Sequence, residues 1–249
     1  MKKDKTSEEF WRNLLVKNCP VCGGRGIISD ELSAESIELC KCSRMVKQFV
    51  KMNDPVHGLH PKYHKWKMDN VFLSRETLKS LKKYLNHIRG ELPKIGDKNP
   101  FRNLIIKGGQ NAGKSSVAAI VYKDLMMREY KISIFRFSEI VTLSRMFMSN
   151  TQGFNDRIDL YDLLKYEDFI IIEDVDCRGH SGNANFERLG YALLDDIFSY
   201  RANHPKKATI ITTDSSNIIT SETMGSAFYY SICKSNVEDN EVFVIDVKN

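Results

Sequence analysis

The 249 residues are 42% hydrophobic and 28% charged, apolar enough for a packed core and too apolar for a disordered chain. No apolar run reaches the roughly eighteen residues a spanning helix needs, and the charged start Met1–Trp11 lacks the apolar stretch of a secretory leader. The expectation is a cytoplasmic protein without a membrane partner, where clustered members of its six cysteines bind metal rather than pair as disulfides. The formal net charge of +5 lies within residues 1–67, where 13 Lys and Arg face 8 Asp and Glu, and the remainder balances. Such an excess points to nucleic acid or an acidic protein partner, although metal-bound thiolates would cancel part of it.

In chain order, the first predicted element is a helix over Ser7–Val16, with Ser7 as N-cap and Phe10, Trp11, Leu14 and Leu15 at helical spacing. Its aromatics serve either as a partner anchor or as a cover for the module that follows. That module holds Cys19-Pro20-Val21-Cys22 and Cys40-Lys41-Cys42, two short-spaced pairs with seventeen residues between them. Zinc takes four tetrahedral N/S ligands, and closely spaced cysteines present two thiolates from one turn, so Cys19, Cys22, Cys40 and Cys42 are the candidate Zn²⁺ ligands. Gly23, Gly24 and Gly26 permit the tight turn, and in so short a segment the metal supplies the folding energy. No thioredoxin-like βαβ pattern surrounds the pairs, which argues against a redox motif.

A basic stretch, Met45–Met52, and a connector, Asp54–His64, come next. His60–Lys67 interleaves cations with rings; it either holds phosphates and stacks bases, or forms a docking strand with Tyr63 and Trp66 inward and the lysines in water. A helix is expected over Thr77–Arg89, then a polar loop over Leu92–Pro100. Short apolar runs then alternate with helical stretches. The strands are read at Asn103–Lys107, Ile132–Phe137, Asp168–Asp174, Ala208–Thr213 and Glu241–Asp246. The helices are read at Lys114–Glu129, Ser138–Ser149, Asp159–Tyr166, Phe186–Ala202 and Ser221–Cys233. This alternation predicts an α/β fold with a five-stranded parallel sheet flanked by helices. Phe169–Ile172 and Thr209–Ile211 are apolar on both faces, as central strands should be. The division expected is 1–52 for the helix and zinc-binding module, 53–100 for the connector and leading helix, and 101–249 for the core, with no C-terminal lid.

Gly108-Gly109-Gln110-Asn111-Ala112-Gly113-Lys114-Ser115 matches G-x-x-x-x-G-K-[ST] between a predicted strand and helix. Backbone N–H groups of such a loop and the helix N-terminus form an anion site for the phosphates of ATP. Lys114 would reach the β- and γ-phosphates and Ser115 would join a Mg²⁺ shell, with Ser116 completing the candidate nucleotide-binding set. The strand Phe169–Asp174 ends in two carboxylates, where one acid supports Mg²⁺ and another polarises the attacking water. Asp214, after the fourth strand, either reaches the γ-phosphate or simply opens a turn. Cys177 and Cys233 stand alone and read as ordinary thiols.

With these residues in view, the chain resembles the bacterial helicase loaders of the DnaC/DnaI type, AAA+ ATPases grouped with the IstB transposition ATPases. The resemblance rests on the cysteines, PKYHKWKMDNVF, GGQNAGKSS, RFSEIVTLSRM, FIIIEDV and LLDDIFSYRANHPKKATIITTD. It implies a P-loop AAA+ core and an ATP-dependent factor that binds a replicative DnaB-like hexameric helicase and single-stranded DNA during DNA replication, with self-assembly driven by ATP. It also implies roles: Glu173 on Mg²⁺, Asp174 as catalytic acid, Asp214 as first sensor. The sequence departs from the family at Asn111, where loaders usually carry Gly, at the Glu-then-Asp order, and at Asp214, where Asn is usual. No arginine follows Arg201, so the late arginine that completes a neighbour's site is missing; Arg178, Arg188 and Arg201 are the substitutes available. Slow hydrolysis, with ATP as an assembly switch, is therefore expected. Two other functions use the same features: a transposition-associated ATPase selecting DNA targets, and a nucleotide-binding adaptor with negligible hydrolysis.

Overall fold

The computed structural model describes residues 8–28, 40–54, 58–90, 103–148, 161–175, 194–201, 203–204, 206–214 and 243–247. The Ser7 cap, the side chains of Phe10 and Trp11, the 92–100 loop, the helix over Ser221–Cys233, Cys177 and Cys233 lie outside the described residues. The chain forms two compact units, Met1–Lys65 and Trp66–Asn249.

In the first unit, helix α1 (Glu8–Leu15) packs on helix α2 (Lys41–Met52). Its buried cluster is Val16, Cys22, Cys40, Cys42 and Val46, with Leu15, Cys19 and Val50 against it. Three of the five buried residues of this cluster are cysteines, so among the described residues it has little purely apolar packing. The docking strand expected around Tyr63 is absent: Pro61–Tyr63 is a single 3-10 turn, with the His60 ring accepting from the Lys62 N–H at 3.3 Å. Proline's fixed φ suits the first position of such a turn, and Tyr63 and Trp66 stand three residues apart, which is the period of a turn rather than a strand.

The second unit is a five-stranded, wholly parallel sheet in the order β2-β3-β4-β1-β5. The strands are β1 (Leu104–Lys107), β2 (Ile132–Arg136), β3 (Phe169–Glu173), β4 (Ala208–Thr213) and β5 (Phe243–Asp246). Every residue of β3 and β4 is buried, whereas the edge strand β5 is partly exposed. The doubly apolar runs are therefore interior, as their composition requires.

Helix α3 (Arg75–Gly90) packs on β5, where Tyr84 and Phe243 meet edge-on at 5.3 Å between ring centres and the Thr77 hydroxyl donates to Asp246 O at 3.2 Å. Helix α4 (Lys114–Met127) lies against β1 to β4 and α5 (Phe137–Met148) against β2. Helical residues 161–166 and 194–201 contribute Leu164, Leu194, Ile197 and Phe198 to a core shared with Phe135, Ile170, Ile172 and Ile211. In a parallel sheet all strand C-termini share one edge, and this architecture gathers the ends of β1, β3 and β4 there.

Candidate nucleotide site and cysteine cluster

At the end of β1 the chain turns at Gly108, whose N–H donates to Thr213 O on β4 at 3.3 Å. A Cβ at Gly108 would lie 2.5 Å from Val247 O, so the loop passes this point only as glycine. The loop closes with Ala112 N–H on Gly109 O at 3.1 Å. Asn111 has φ 62° and Gly113 φ 104°, both left-handed. Asparagine is among the side chains that best tolerate this region, so Asn111 adopts the glycine-like backbone its position demands.

Gly113 is the N-cap of α4, and Ser116 and Val117 donate to its carbonyl at 3.0 and 3.1 Å. The N–H groups at the start of a helix have no intrahelical acceptor and carry the positive end of the helix dipole. Together with the loop amides they suit a phosphate. A Cβ at Gly113 would approach Leu73 Cδ2 to 3.2 Å, so Leu73 and Val247 line the loop, contacts that the motif did not announce. Gln110 and Asn111 are exposed, Gly109, Lys114 and Ser115 half-buried, and Ala112 and Ser116 buried. Lys114 Nζ donates to Gly108 O at 2.8 Å and Gly109 O at 3.1 Å, bonds that phosphate oxygens would replace.

Glu173 is the buried last residue of β3, and Asp174 follows at φ 56°, half-buried. Its N–H donates to the Thr212 hydroxyl at 2.9 Å, and Val175 N–H donates to Thr212 O at 3.1 Å. Asp214 directly follows β4, which lies between β1 and β3. Adjacent strands are about 4.8 Å apart, so the carboxylate-bearing end of β3 stands roughly 10 Å from the loop-bearing end of β1, with Asp214 between them. A triphosphate and one hydrated divalent cation fit that spacing, with Ser115 and Glu173 as oxygen donors of the kind Mg²⁺ takes.

In the first unit, the ligand atoms of Cys19, Cys22, Cys40 and Cys42 all lie within 4.8 Å of one another. Cys19 Sγ is 3.8 Å from Cys40 Sγ, and Cys22 Sγ is 3.5 Å from Cys42 Sγ. Zn–S bonds of about 2.3 Å place tetrahedral sulfurs about 3.8 Å apart, so the cluster is compatible with zinc. The knuckle turns through Gly23, Gly24 and Gly26 at φ 56°, 87° and 79°. Gly26 N–H donates to Cys22 Sγ at 3.2 Å, and its carbonyl accepts from the Ser43 hydroxyl at 2.7 Å. Cys40 occupies the N-cap position of α2 without a side-chain cap bond, and Cys42 lies in the first turn. Burial opposes ionisation at Cys22, but hydrogen bonds led by that from Gly26 hold it down to about 6. Burial and the neighbouring sulfurs push Cys42 up to about 12. A divalent cation would offset that crowding of like charge.

Arg201, one of the three arginines considered as trans-acting, is committed to its own chain. It is 2% exposed and donates to the carbonyls of Leu164 (3.2 Å), Glu167 (2.8 Å), Asp168 (3.3 Å) and Ala208 (2.6 Å) and to the Thr209 hydroxyl (3.2 Å). Burial lowers its pKa to about 9, so it stays charged at neutral pH within this cage of oxygens. Arg178 and Arg188 lie outside the described residues. Among the described residues no helix is long and apolar enough to cross a membrane.

No family model matches the sequence, and neither does any curated protein. Solved structures do. The crystal structure of DnaI aligns with a TM-score of 0.53 and 14% identity, over 77% of this chain and 92% of that one. The crystal structure of the DnaC helicase loader aligns at 0.50 and 18%, over 75% and 99%. AMPPCP-bound DnaA from Aquifex aeolicus aligns at 0.49 and 14%, over 76% of this chain and 51% of that one, so the chain spans about half the DnaA length. At such identities the likeness is one of fold: the chain shares the parallel-sheet fold of the DnaC and DnaI structures.

Proposed function

We propose that the protein is an ATP-dependent loader of a replicative DnaB-like hexameric helicase, acting on single-stranded DNA in the cytoplasm, with ATP as its assembly switch and a structural zinc in its first unit. The observation that carries the reading is the convergence of the glycine-rich loop, Glu173, Asp174 and Asp214 on one sheet edge, in a fold shared with the DnaC helicase loader. Gly108 to Ser116 hold the phosphates, Lys114 exchanging its loop carbonyls for phosphate oxygens, and Ser115 and Glu173 hold Mg²⁺. Asp174 orients the attacking water and Asp214 senses the γ-phosphate. Bound Mg²⁺ neutralises phosphate charge. Cys19, Cys22, Cys40 and Cys42 hold Zn²⁺, which supplies the cohesion that the small core lacks.

The test is affinity capture of the tagged protein with ATP, beside Lys114→Ala and Cys19→Ser/Cys22→Ser variants. Recovery of a hexameric helicase that is lost in the cysteine variant supports the loader. Recovery of a transposase, or of no helicase, ends that assignment. The burial of Arg201 favours a second reading, a nucleotide-binding adaptor with negligible hydrolysis, which phosphate release measured with and without single-stranded DNA separates from the first.

A further inference from the structure

We infer that Thr212 is a positioning residue for hydrolysis, holding the Asp174 carboxylate at a fixed place relative to the phosphate loop. The inference rests on the ATPase reading of the site. Thr212 is fully buried in the central strand β4, where a hydroxyl is costly unless used. It accepts twice from the chain just beyond β3: its hydroxyl from Asp174 N–H at 2.9 Å and its carbonyl from Val175 N–H at 3.1 Å. In a continuing parallel ladder the Asp174 N–H would seek a backbone acceptor. The hydroxyl takes it instead, and the chain bends into the left-handed region at Asp174, φ 56°. Aspartate is one of the few residues with a Cβ that enters this region readily, and the Thr212 bond fixes the turn there.

The next residue performs the matching task on the other side, Thr213 O accepting from Gly108 N–H at 3.3 Å. Successive residues of β4 therefore grip the acid-bearing turn and the entry to the phosphate loop. The distance between loop and acid is set by one rigid strand end rather than by either loop alone. Hydrolysis depends on such placement, and an error of about 1 Å can cost about 100-fold.

Thr212→Val keeps the branched shape and removes the acceptor, while Thr212→Ser keeps the acceptor. Three quantities are measured: affinity for a fluorescent ATP analogue, phosphate release at saturating ATP, and melting temperature. The expected result for Thr212→Val is an affinity within about twofold of the unmodified protein and phosphate release lowered about 10–100-fold. Thr212→Ser recovers most of the rate. In an Asp174→Asn background Thr212→Val has no further effect on release, because both changes act through one carboxylate. Unchanged release in Thr212→Val, or additive losses in the double variant, overturns the inference. If the valine variant does not fold, Thr212→Cys, a weak acceptor of similar size, is read by the same criteria. Release that is insensitive to Lys114→Ala in the otherwise unmodified protein overturns the ATPase reading and this inference together. Lys114-sensitive release that ignores Thr212 overturns the inference alone.

Discussion

Arg201 brings a full charge into the protein interior, and its partners are carbonyl dipoles and a hydroxyl from the 161–168 stretch and from β4. A buried guanidinium is tolerated only when its donors are used, and truncating it strands the acceptors as well. Arg201→Met is therefore expected to destabilise the second unit by at least about 3 kcal/mol, since several charge-assisted bonds are lost and buried carbonyls are left unpaired. Denaturant unfolding checks this. A trans-acting arginine would lose rate and keep stability, the opposite pattern. From sequence, Arg201 in SYRANHP was indistinguishable from a surface arginine, because burial of a cation depends on which carbonyls the fold aims at it. Thr212 had no signal of its own, being one of three threonines in the six residues of β4. Asn111 was legible as a departure from glycine, and its left-handed φ explains why the departure is tolerated.

At the scale of elements, the sheet was readable because its strands are short apolar runs separated by helical stretches, and every predicted strand is present within two residues. Ends shifted where local bonding decides, as at β3, where the Thr212 hydroxyl ends the ladder at Glu173 instead of Asp174. Over His60–Lys67 the division of faces holds, with Tyr63 buried, Trp66 half-buried and Lys62, Lys65 and Lys67 exposed, but Pro61 and the three-residue spacing of the rings build a turn where a strand was expected. The cysteine module is the element whose stability is most separable. With Cys22, Cys40 and Cys42 forming most of its small buried cluster, sulfur–metal bonds are its main cohesion once zinc is bound. A chelator is expected to remove about one zinc per chain and abolish protection of the α2 amides against hydrogen exchange. Amides of β3 and β4, buried in a sheet with its own core, keep theirs. Equal loss of protection in both would show that the metal is not the local support proposed, and unchanged protection in α2 would mean the same.

For the whole molecule, the basic excess lies in residues 1–67 and the phosphate-loop motif in the charge-balanced remainder, which under the proposed function assigns partner binding to the first and ATP to the second. Assembly and catalysis should then separate too. An arginine supplied by a neighbour can be worth about 10³–10⁵ in rate. The last arginine of this sequence is Arg201, and its guanidinium is committed to its own chain. With Arg201 committed, the proposed assembly switch predicts that ATP drives association of the protein while its own hydrolysis stays slow. In sedimentation with ATP and Mg²⁺ the protein should assemble as its concentration rises, and Lys114→Ala should prevent this. Over the same range, phosphate release per subunit should stay low and flat. A rate that climbs in step with assembly would mean that a neighbour does complete the site. Arg178→Ala and Arg188→Ala would then identify the donor, since Arg201 cannot leave its cage of carbonyls without unfolding the strand ends it joins.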